Sequence, residues 1–272
     1  NVVFGKNITS QWHSFETPDP DATEHMFVAM SDIQDDERTY EALISHMSVA
    51  KAQLVLPIGD IMICYEKIDQ PYDRVIEESV ESFATRIPFV VVRGNHETRG
   101  RLARDYDKYV MRPFYGLHRI GDVAIIMLDS GEDKPDSHSV YAGLTSFDAY
   151  RAEQAEWLEG IVETDEYKSA RHKIVMIHIP PMVPGGSSKK GESYSSQKVY
   201  ELYMPILNRA DVDLMVCGHT HKQMLLEKVT GIYEFPVVIN DNKSASAITV
   251  SPQGIHVKTM DWNGIVTLDR TF

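Results

Sequence analysis

The chain has 272 residues, 43% of them hydrophobic, and a formal net charge of −13 at pH 7. This length and apolar content fit one large domain, and no stretch is apolar enough to cross a bilayer, so we expect no membrane partner. The acidic balance makes a nucleic-acid partner unexpected, because phosphate backbones require basic patches. Two cysteines make no disulfide framework and leave the cellular compartment open.

Residues 1–25 differ in character from the rest of the chain. They are polar and include the turn-rich run Thr17-Pro18-Asp19-Pro20-Asp21. Because Asn1 is an unusual natural start, we interpret this segment as a linker or the tail of a removed N-terminal part, either a signal peptide or a small domain. This interpretation favours export to a periplasmic or extracellular location, and it predicts that the main domain covers residues 26–272.

From Met26 onward, apolar runs alternate with segments that have a helical pattern. Each of the first three runs leads to a predicted helix: the run ending at Asp32 to residues 36–50, the run ending at Asp60 to residues 72–85, and the run ending at Asn95 to residues 99–110. The acidic start of the first helix suits the positive potential at a helix N-terminus. This alternation predicts parallel strands joined by helices.

The middle of the chain contains a predicted hairpin and two long polar loops. The predicted elements are hairpin strands at 114–120 and 123–128, loops at 130–145 and 180–191, and helices at 147–162 and 196–209. Loops of this length in a compact domain usually carry function, so we expect them to shape the substrate site. Lys189 and Lys190 in the second loop could bind a substrate phosphate or form a solvated basic surface.

The last part of the chain is predicted to be all-β. The strands lie at residues 222–227, 235–239, 245–250, 255–260 and 265–268. The first half of the chain then supplies parallel strands with helices on one face, and the β-rich second half supplies a second sheet that covers the other face. The predicted fold is therefore α/β, a four-layer helix, sheet, sheet, helix sandwich.

Five of the apolar runs end in side chains that can bind a metal. The endings are Asp32, Asp60, Asn95-His96-Glu97, His178 and Gly218-His219-Thr220-His221. In the last of them, two imidazoles on a turn loosened by glycine can point into a common space. Ligands commonly bind beyond the carboxyl ends of the strands of an open sheet, so we predict a metal site at this C-terminal strand edge. Mixed carboxylate, imidazole and amide ligands suit Mn, Fe or Zn.

In order and spacing, these motifs resemble the calcineurin-like metallophosphoesterases, a superfamily that includes purple acid phosphatases and Ser/Thr phosphatases. The resemblance spans nearly the whole chain from Met26. It implies two divalent or trivalent metal ions that hold a bridging hydroxide and hydrolyse a phosphomonoester or phosphodiester of a small molecule. It assigns Asp32 and His221 to the first ion, Asn95, His178 and His219 to the second, Asp60 to both, and the role of general acid to His96.

Two positions depart from the pattern of that family. Gln34 stands where the first motif usually has histidine; its amide oxygen could ligate weakly, or water, Asp35 or Asp36 could complete the site. Ile63 stands where purple acid phosphatases have a ligand tyrosine and many Ser/Thr phosphatases have an aspartate that orients the catalytic histidine. We therefore expect neither a purple enzyme nor a protein phosphatase of that type, and Tyr65 is too far along the chain to be assumed equivalent.

Alternatives to a phosphoesterase follow from the same residues. A non-catalytic binding module is the main rival, because the superfamily includes scaffold members and Gln34 weakens one ligand position. The presence of His96 argues against that rival, and the acidic balance argues against a nuclease. Arg93 and Glu97 could support the metal site or serve the fold alone, and we interpret Asp129 as a structural cap.

Overall fold

A computed structural model describes residues 21–182 and 194–272, together with isolated positions among the first twenty. Most of the loop predicted at residues 180–191 lies outside the described residues, and with it Lys189 and Lys190. Within the described part of the chain, no helix combines the length and the apolar character needed to span a membrane.

The described residues form strands and α-helices in an order close to the predicted one. The strands are β1 (Val2–Val3), β2 (Lys6–Asn7), β3 (His25–Met30), β4 (Leu54–Pro57), β5 (Gly116–Ile120), β6 (Val123–Leu128), β7 (His172–Ile177), β8 (Leu214–Cys217), β9 (Met224–Leu226), β10 (Val237–Ile239), β11 (Ser244–Ser251), β12 (Gly254–Asp261) and β13 (Val266–Thr271). The helices are α1 (Glu37–His46), α2 (Glu77–Ser79), α3 (Tyr106–Tyr109), α4 (Phe147–Ile161), α5 (Asp165–Lys168) and α6 (Tyr194–Leu207). Turns of π type extend α2 on both sides, so the helix predicted at residues 72–85 is confirmed.

Helix α1 begins where its sequence provides a cap. The Asp36 carboxylate accepts hydrogen bonds from the backbone N–H of Thr39 at 3.2 Å and from the Thr39 hydroxyl at 2.8 Å. Such a cap satisfies a backbone donor that has no partner within the helix, and it holds the pKa of Asp36 below its usual value. Asp36 therefore serves the helix.

The helix predicted at residues 99–110 is wrong in its first half. Only a 3-10 turn, Ala103–Asp105, and the single turn of α3 are helical in this stretch. The chain before them pairs with the backbone of Tyr65: Tyr65 donates to the carbonyl of Arg99 at 2.8 Å, and Leu102 donates to the carbonyl of Tyr65 at 3.1 Å. Gly100 allows this approach, because its φ is +96° and a Cβ there would lie 2.3 Å from the Tyr65 carbonyl oxygen.

The strands form two main sheets whose membership differs from the predicted division into halves. One sheet has the order β13-β12-β11-β3-β4, and the other has the order β5-β6-β7-β8-β10-β9. Strand β3 pairs in parallel with β4 and antiparallel with β11. Because β3 is buried along almost its whole length, it needs a hydrogen-bonding partner on each side, and the C-terminal strand β11 supplies the second one.

The predicted strand before Asn95 is reduced to bridges beside β4. Val90 donates to the carbonyl of Val55 at 3.0 Å, and Val92 donates to the carbonyl of Pro57 at 2.8 Å. This stretch extends the edge of the first sheet and carries Asn95 to the end of β4. The prediction of its position was right, although it is not a regular strand.

Three layers of buried side chains hold the sandwich together. The layer between the sheets includes Phe27 and Leu56 from one sheet and Ile125 and Val216 from the other. A second layer packs α1 against the outer face of the first sheet, and a third packs α4 and α6 against the outer face of the second. These layers confirm the predicted helix, sheet, sheet, helix architecture. The C-terminal ends of β3, β4, β7 and β8 meet at one edge, where the predicted ligands lie.

Candidate metal centre

The ligand-bearing turns have an unusual backbone. Asp32, Asp60, His219 and His221 all have positive φ, at 59°, 53°, 72° and 52°. Left-handed backbone at a residue other than glycine costs about 1–3 kcal/mol, and it persists where the surrounding structure requires it. In each case the residue follows a buried strand closely, so the left-handed turn directs the side chain across the edge of the sandwich.

Glycines allow these turns to approach each other closely. A Cβ on Gly59 would lie 2.5 Å from Gly94 Cα and 2.7 Å from His178 Cγ. A Cβ on Gly218 would lie 2.6 Å from Asp32 Oδ2. Gly59 therefore has no room for a side chain beside the Gly94 backbone, and Gly218 has none beside Asp32.

The residues predicted to hold the second ion lie together. Ligand atoms of Asp60, His178 and His219 are within 4.8 Å of one another. His178 Nε2 lies 3.1 Å from Asp60 Oδ2, and His219 Nδ1 lies 3.0 Å from Asn95 Oδ1. His178 Nδ1 donates to the carbonyl of Ile58 at 2.8 Å, and this contact orients the ring so that Nε2 faces Asp60.

The residues predicted to hold the first ion form an adjoining group. His221 Nε2 lies 3.3 Å from Asp32 Oδ1, and Asp32 Oδ2 accepts the backbone N–H of His219 at 2.8 Å. Gln34 reaches this group through its backbone, which donates to the carbonyl of Asp60 at 3.0 Å. Of the neighbours considered as replacement ligands, Asp35 accepts the backbone N–H of Ile63 at 3.1 Å.

Two buried polar atoms of the cluster, His178 Nε2 and Asp32 Oδ1, are placed where a metal ion could bind them. His178 Nε2 and Asp32 Oδ1 have no hydrogen-bond partner among the described residues, although each lies near an opposite partner. The nearest opposite atoms are Asp60 Oδ2, 3.1 Å from His178 Nε2, and His221 Nε2, 3.3 Å from Asp32 Oδ1. A buried polar atom without a partner is costly, and a cation placed among these side chains would satisfy both atoms.

The pKa values of the clustered side chains also favour a cation at this position. Burial alone would raise the pKa of Asp60, but the neighbouring His178 imidazole outweighs burial and holds that pKa below its usual value. Burial alone would lower the pKa of His178, but Asp60 and Asp32 raise it to about 10. Burial, assisted by His178, lowers the pKa of His219 to about 4. The Asp60 carboxylate therefore remains ionised, and it attracts positive charge.

Glu97 organises the turn that carries Asp60. Its buried carboxylate accepts four backbone N–H groups, from Asp60, Ile61 and Gly94 at 2.8 Å and from Met62 at 3.0 Å. Glu97 is therefore not free to ligate a metal. Of the two roles considered for Glu97, the structure supports that of a residue that supports the site.

Arg93 and Asp129 form a buried pair behind the same turn. Arg93 Nε donates to Asp129 Oδ2 at 2.8 Å, and its guanidinium lies 3.8 Å from the centre of the Phe114 ring. Asp129 also accepts the Tyr150 hydroxyl at 3.0 Å and the backbone N–H of Gly131 at 2.8 Å. This pair joins β6 to the Gly94 turn, so Asp129 has a structural role, as the sequence indicated.

His96 lies at the open side of the cluster. Its Nε2 is 3.7 Å from Asp60 Oδ2, and its backbone N–H donates to Asp60 Oδ1 at 2.8 Å. Its Nδ1 donates to the carbonyl of Ile63 at 2.7 Å. Ile63 stands where many Ser/Thr phosphatases have an aspartate that orients the catalytic histidine. Here the backbone carbonyl of Ile63 orients His96 instead. Tyr65 is buried away from this site, against Tyr106 and Tyr109.

Arg99 is a residue of the site that the sequence analysis missed. Its Nη1 lies 3.1 Å from His96 Nε2, and Nε and Nη2 donate to the two carboxylate oxygens of Glu132 at 3.0 Å each. No family motif marks Arg99, and Glu132 lies in the long loop 130–145, where residue type alone carries no positional signal. The only available hint was the short separation between Arg99 and His96.

Two packed sheets with carboxylate, amide and imidazole side chains gathered at one strand edge define an α/β protein with a candidate metal centre at that edge. The sequence profile of the calcineurin-like phosphoesterase family matches residues 25–223. The match covers well over half of the chain, and the chain belongs to this family. The resemblance stated from the motifs is thereby confirmed.

Curated relatives include plant phosphatases. The chain is 25% identical over 288 residues to Probable purple acid phosphatase 20 of Arabidopsis thaliana, an alignment that covers 98% of the chain and 61% of that protein. It is 25% identical over 223 residues to Purple acid phosphatase 22 of the same plant, covering 79% of the chain and 48% of that protein. The chain therefore spans only about half to three fifths of the length of these relatives.

Solved structures share the fold. Purple acid phosphatase PPD1 from yellow lupin (Lupinus luteus) seeds matches with a TM-score of 0.67 and 13% identity, over 93% of this chain and 54% of the lupin chain. GAP50, the anchor in the inner membrane complex of Plasmodium, matches with a TM-score of 0.65 and 14% identity, over 92% of this chain and 89% of that chain. One neighbour is a phosphatase and the other is described as an anchor, so the shared fold does not decide between catalysis and binding.

Proposed function

We propose that this chain is a metal-dependent phosphoesterase that hydrolyses a phosphomonoester or phosphodiester of a small molecule. One observation carries the proposal: ligand atoms of Asp60, His178 and His219, from three separate strand ends, lie within 4.8 Å of one another, with His96 beside Asp60. The family and the plant relatives support phosphoester hydrolysis as the general class of reaction.

The metal ligands follow from the two adjoining groups. We assign Asp32, Gln34 and His221 to one ion, Asn95, His178 and His219 to the other, and Asp60 to both. Oxygen and imidazole donors of this kind fit Mn, Fe or Zn. When bound, two such ions would supply Lewis acidity toward the phosphoryl oxygens and an activated water.

The protein's own contribution to the chemistry centres on His96. The Ile63 carbonyl fixes the ring through Nδ1, and Nε2 faces the side of Asp60. In this orientation Nε2 can hold a proton for the leaving oxygen of the ester, and a neutral leaving group departs more easily than an alkoxide. The partly exposed position of His96 leaves room for the leaving group on the solvent side.

Metal analysis combined with an ester assay tests the proposal. The purified protein would be loaded with Mn, Fe or Zn and assayed with a chromogenic phosphomonoester and a chromogenic phosphodiester. We expect turnover of at least one ester, and its loss together with metal in an Asp60→Asn variant. A protein that retains at most one ion and turns over neither ester would favour the non-catalytic binding module.

A further inference from the structure

We propose that Arg99 binds a phosphoryl oxygen of the substrate through its Nη1 group. The inference rests on the proposed phosphoesterase function, because it assumes that a phosphate group lies beside His96 and Asp60. Its starting point is a single contact: Arg99 Nη1 lies 3.1 Å from His96 Nε2, the atom that also faces Asp60.

The other edge of the guanidinium is firmly held. Glu132 accepts from Nε and Nη2 at 3.0 Å each, and Asp133 Oδ1 lies 3.2 Å from Nη2. Glu132 is itself buried and accepts the Tyr141 hydroxyl at 2.8 Å. A bidentate pair of this kind fixes the plane of the guanidinium, so the Nη1 edge has a set direction, toward His96.

The long loop 130–145 is built to hold this pair. Arg151 of α4 is fully buried and donates to the backbone carbonyls of Ser130, at 2.8 Å, and Glu132. Lys134 Nζ donates to both carboxylate oxygens of Asp133 at 2.8 Å each. The negative charges of Glu132 and Asp133 are therefore balanced by the positive charges of Arg99 and Lys134. The two carboxylates can orient Arg99 without a net negative charge that would repel an anion.

The contact with His96 suits an exchange when substrate binds. Because the Ile63 carbonyl can only accept, Nδ1 carries the hydrogen, and because a guanidinium can only donate, Nε2 accepts from Arg99. A general acid must instead present a hydrogen at Nε2 to the leaving oxygen. A phosphoryl oxygen that accepts from Arg99 Nη1 would take this donor away from Nε2, whose lone pair could then accept a proton from water and pass it to the leaving oxygen.

Exposure and charge fit the same role. The Arg99 side chain is 31% exposed, so a ligand can reach it, whereas Arg93 is enclosed by its partners. Burial would lower the pKa of Arg99, but Glu132, Asp133 and Asp60 raise it above its usual value, so the positive charge is permanent. Arginine in such a setting is well suited to recognise a tetrahedral oxyanion.

Direct binding of inorganic phosphate to the metal-loaded protein tests the inference without relying on turnover. We expect Arg99→Gln to weaken phosphate binding about 10- to 100-fold by calorimetry, with metal content unchanged, because one charge-assisted hydrogen bond is lost. Arg101→Gln is the matched control, since Arg101 is exposed and its Nε donates to the carbonyl of Glu66. It should bind phosphate as the wild type does.

Arg99→Lys guards against misfolding of the first variant. Lysine keeps the charge next to Glu132, but one ammonium group cannot reproduce the fork that contacts both Glu132 and an anion, so phosphate should still bind several-fold more weakly. Phosphate affinity within about twofold of wild type in a folded Arg99 variant would overturn the inference, as would a wild-type protein that binds no phosphate. If phosphate binding depends on Arg99 but no ester is turned over, the inference is supported and the proposed catalysis is contradicted. If an ester is turned over but phosphate binding does not depend on Arg99, only the inference is contradicted.

Discussion

The Glu97 carboxylate accepts the backbone N–H of Asp60 at 2.8 Å, and the same oxygen accepts the N–H of Gly94 at 2.8 Å. One buried side chain thereby ties the turn of Asp60, the proposed bridging ligand, to the turn that carries Asn95 and His96. Backbone donors that lose such an acceptor cannot turn to water, because this region is buried. The geometry of the candidate metal centre consequently depends on a residue that is not one of its proposed ligands.

Replacing Glu97 by Gln tests this dependence. The amide keeps the shape of the side chain but presents hydrogens to two of the four backbone donors, so we expect the free energy of unfolding to fall by about 3 kcal/mol or more. Urea unfolding of the metal-free protein measures the change. Glu163→Gln, at an exposed residue paired with Lys168, should leave stability nearly unchanged. Equal stability of both variants and wild type would show that Glu97 is dispensable for this turn.

Replacing Asp129 by Asn should also destabilise the protein. The change leaves the Arg93 charge buried without its partner, which typically costs about 3–5 kcal/mol. Adding Arg93→Met to Asp129→Asn removes the uncompensated charge and should recover part of the loss, so the two changes will be non-additive in denaturant unfolding. Strict additivity would contradict a direct pairing of Arg93 with Asp129.

Replacing His96 by Asn separates proton donation from metal binding. We expect two bound ions to remain, while turnover of an alkyl phosphate falls by about 100- to 10,000-fold, because the leaving oxygen loses its acid. A nitrophenyl ester, whose leaving group needs less protonation, should lose much less. The comparison of kcat for the two esters is the measurement, with His256→Asn on β12 as a control that should match wild type. An equal loss with both esters would remove the general-acid role from His96.

Replacing Gln34 by His tests the weak point of the first site. Imidazole is a better ligand than an amide for Mn, Fe or Zn, and histidine tolerates the positive φ of 50° at this position. We expect tighter binding of the first ion in competition with a chelator. Gln253→His, in the turn between β11 and β12, controls for an added surface histidine. Unchanged metal affinity in Gln34→His would place residue 34 outside the coordination shell.

Much of the fold could be predicted from periodicity, because apolar alternation and helical spacing are local properties. The choice of partner strands is not local: β3 pairs with β11, more than two hundred residues later, and no pattern in either strand specifies the other. The predicted division of the sheets into successive halves was wrong for this reason. Gly100 could have signalled that no helix begins at residue 99, since its positive φ serves the contact with Tyr65.

The proposed metal ligands could be predicted from the sequence because each one follows an apolar run and has a distinctive residue type. The support for His96 was not accessible, because it comes from the carbonyl of Ile63, and every residue has a carbonyl. Arg99 was missed because its orientation depends on Glu132, and the path of the long loop that brings Glu132 to Arg99 cannot be predicted from residue type. Groups that position another side chain are hard to predict from sequence, because many residue types can play that part.

The most direct test of the dinuclear centre is a crystal structure of the metal-loaded protein with anomalous scattering measured at the absorption edges of Mn, Fe and Zn. We predict two peaks about 3.5–4 Å apart, with the Asp60 carboxylate between them, His178 and His219 on one ion and Asp32 and His221 on the other. Peaks elsewhere, a single ion, or Asp60 contacting neither ion would contradict the central claim that these strand ends form a dinuclear metal centre.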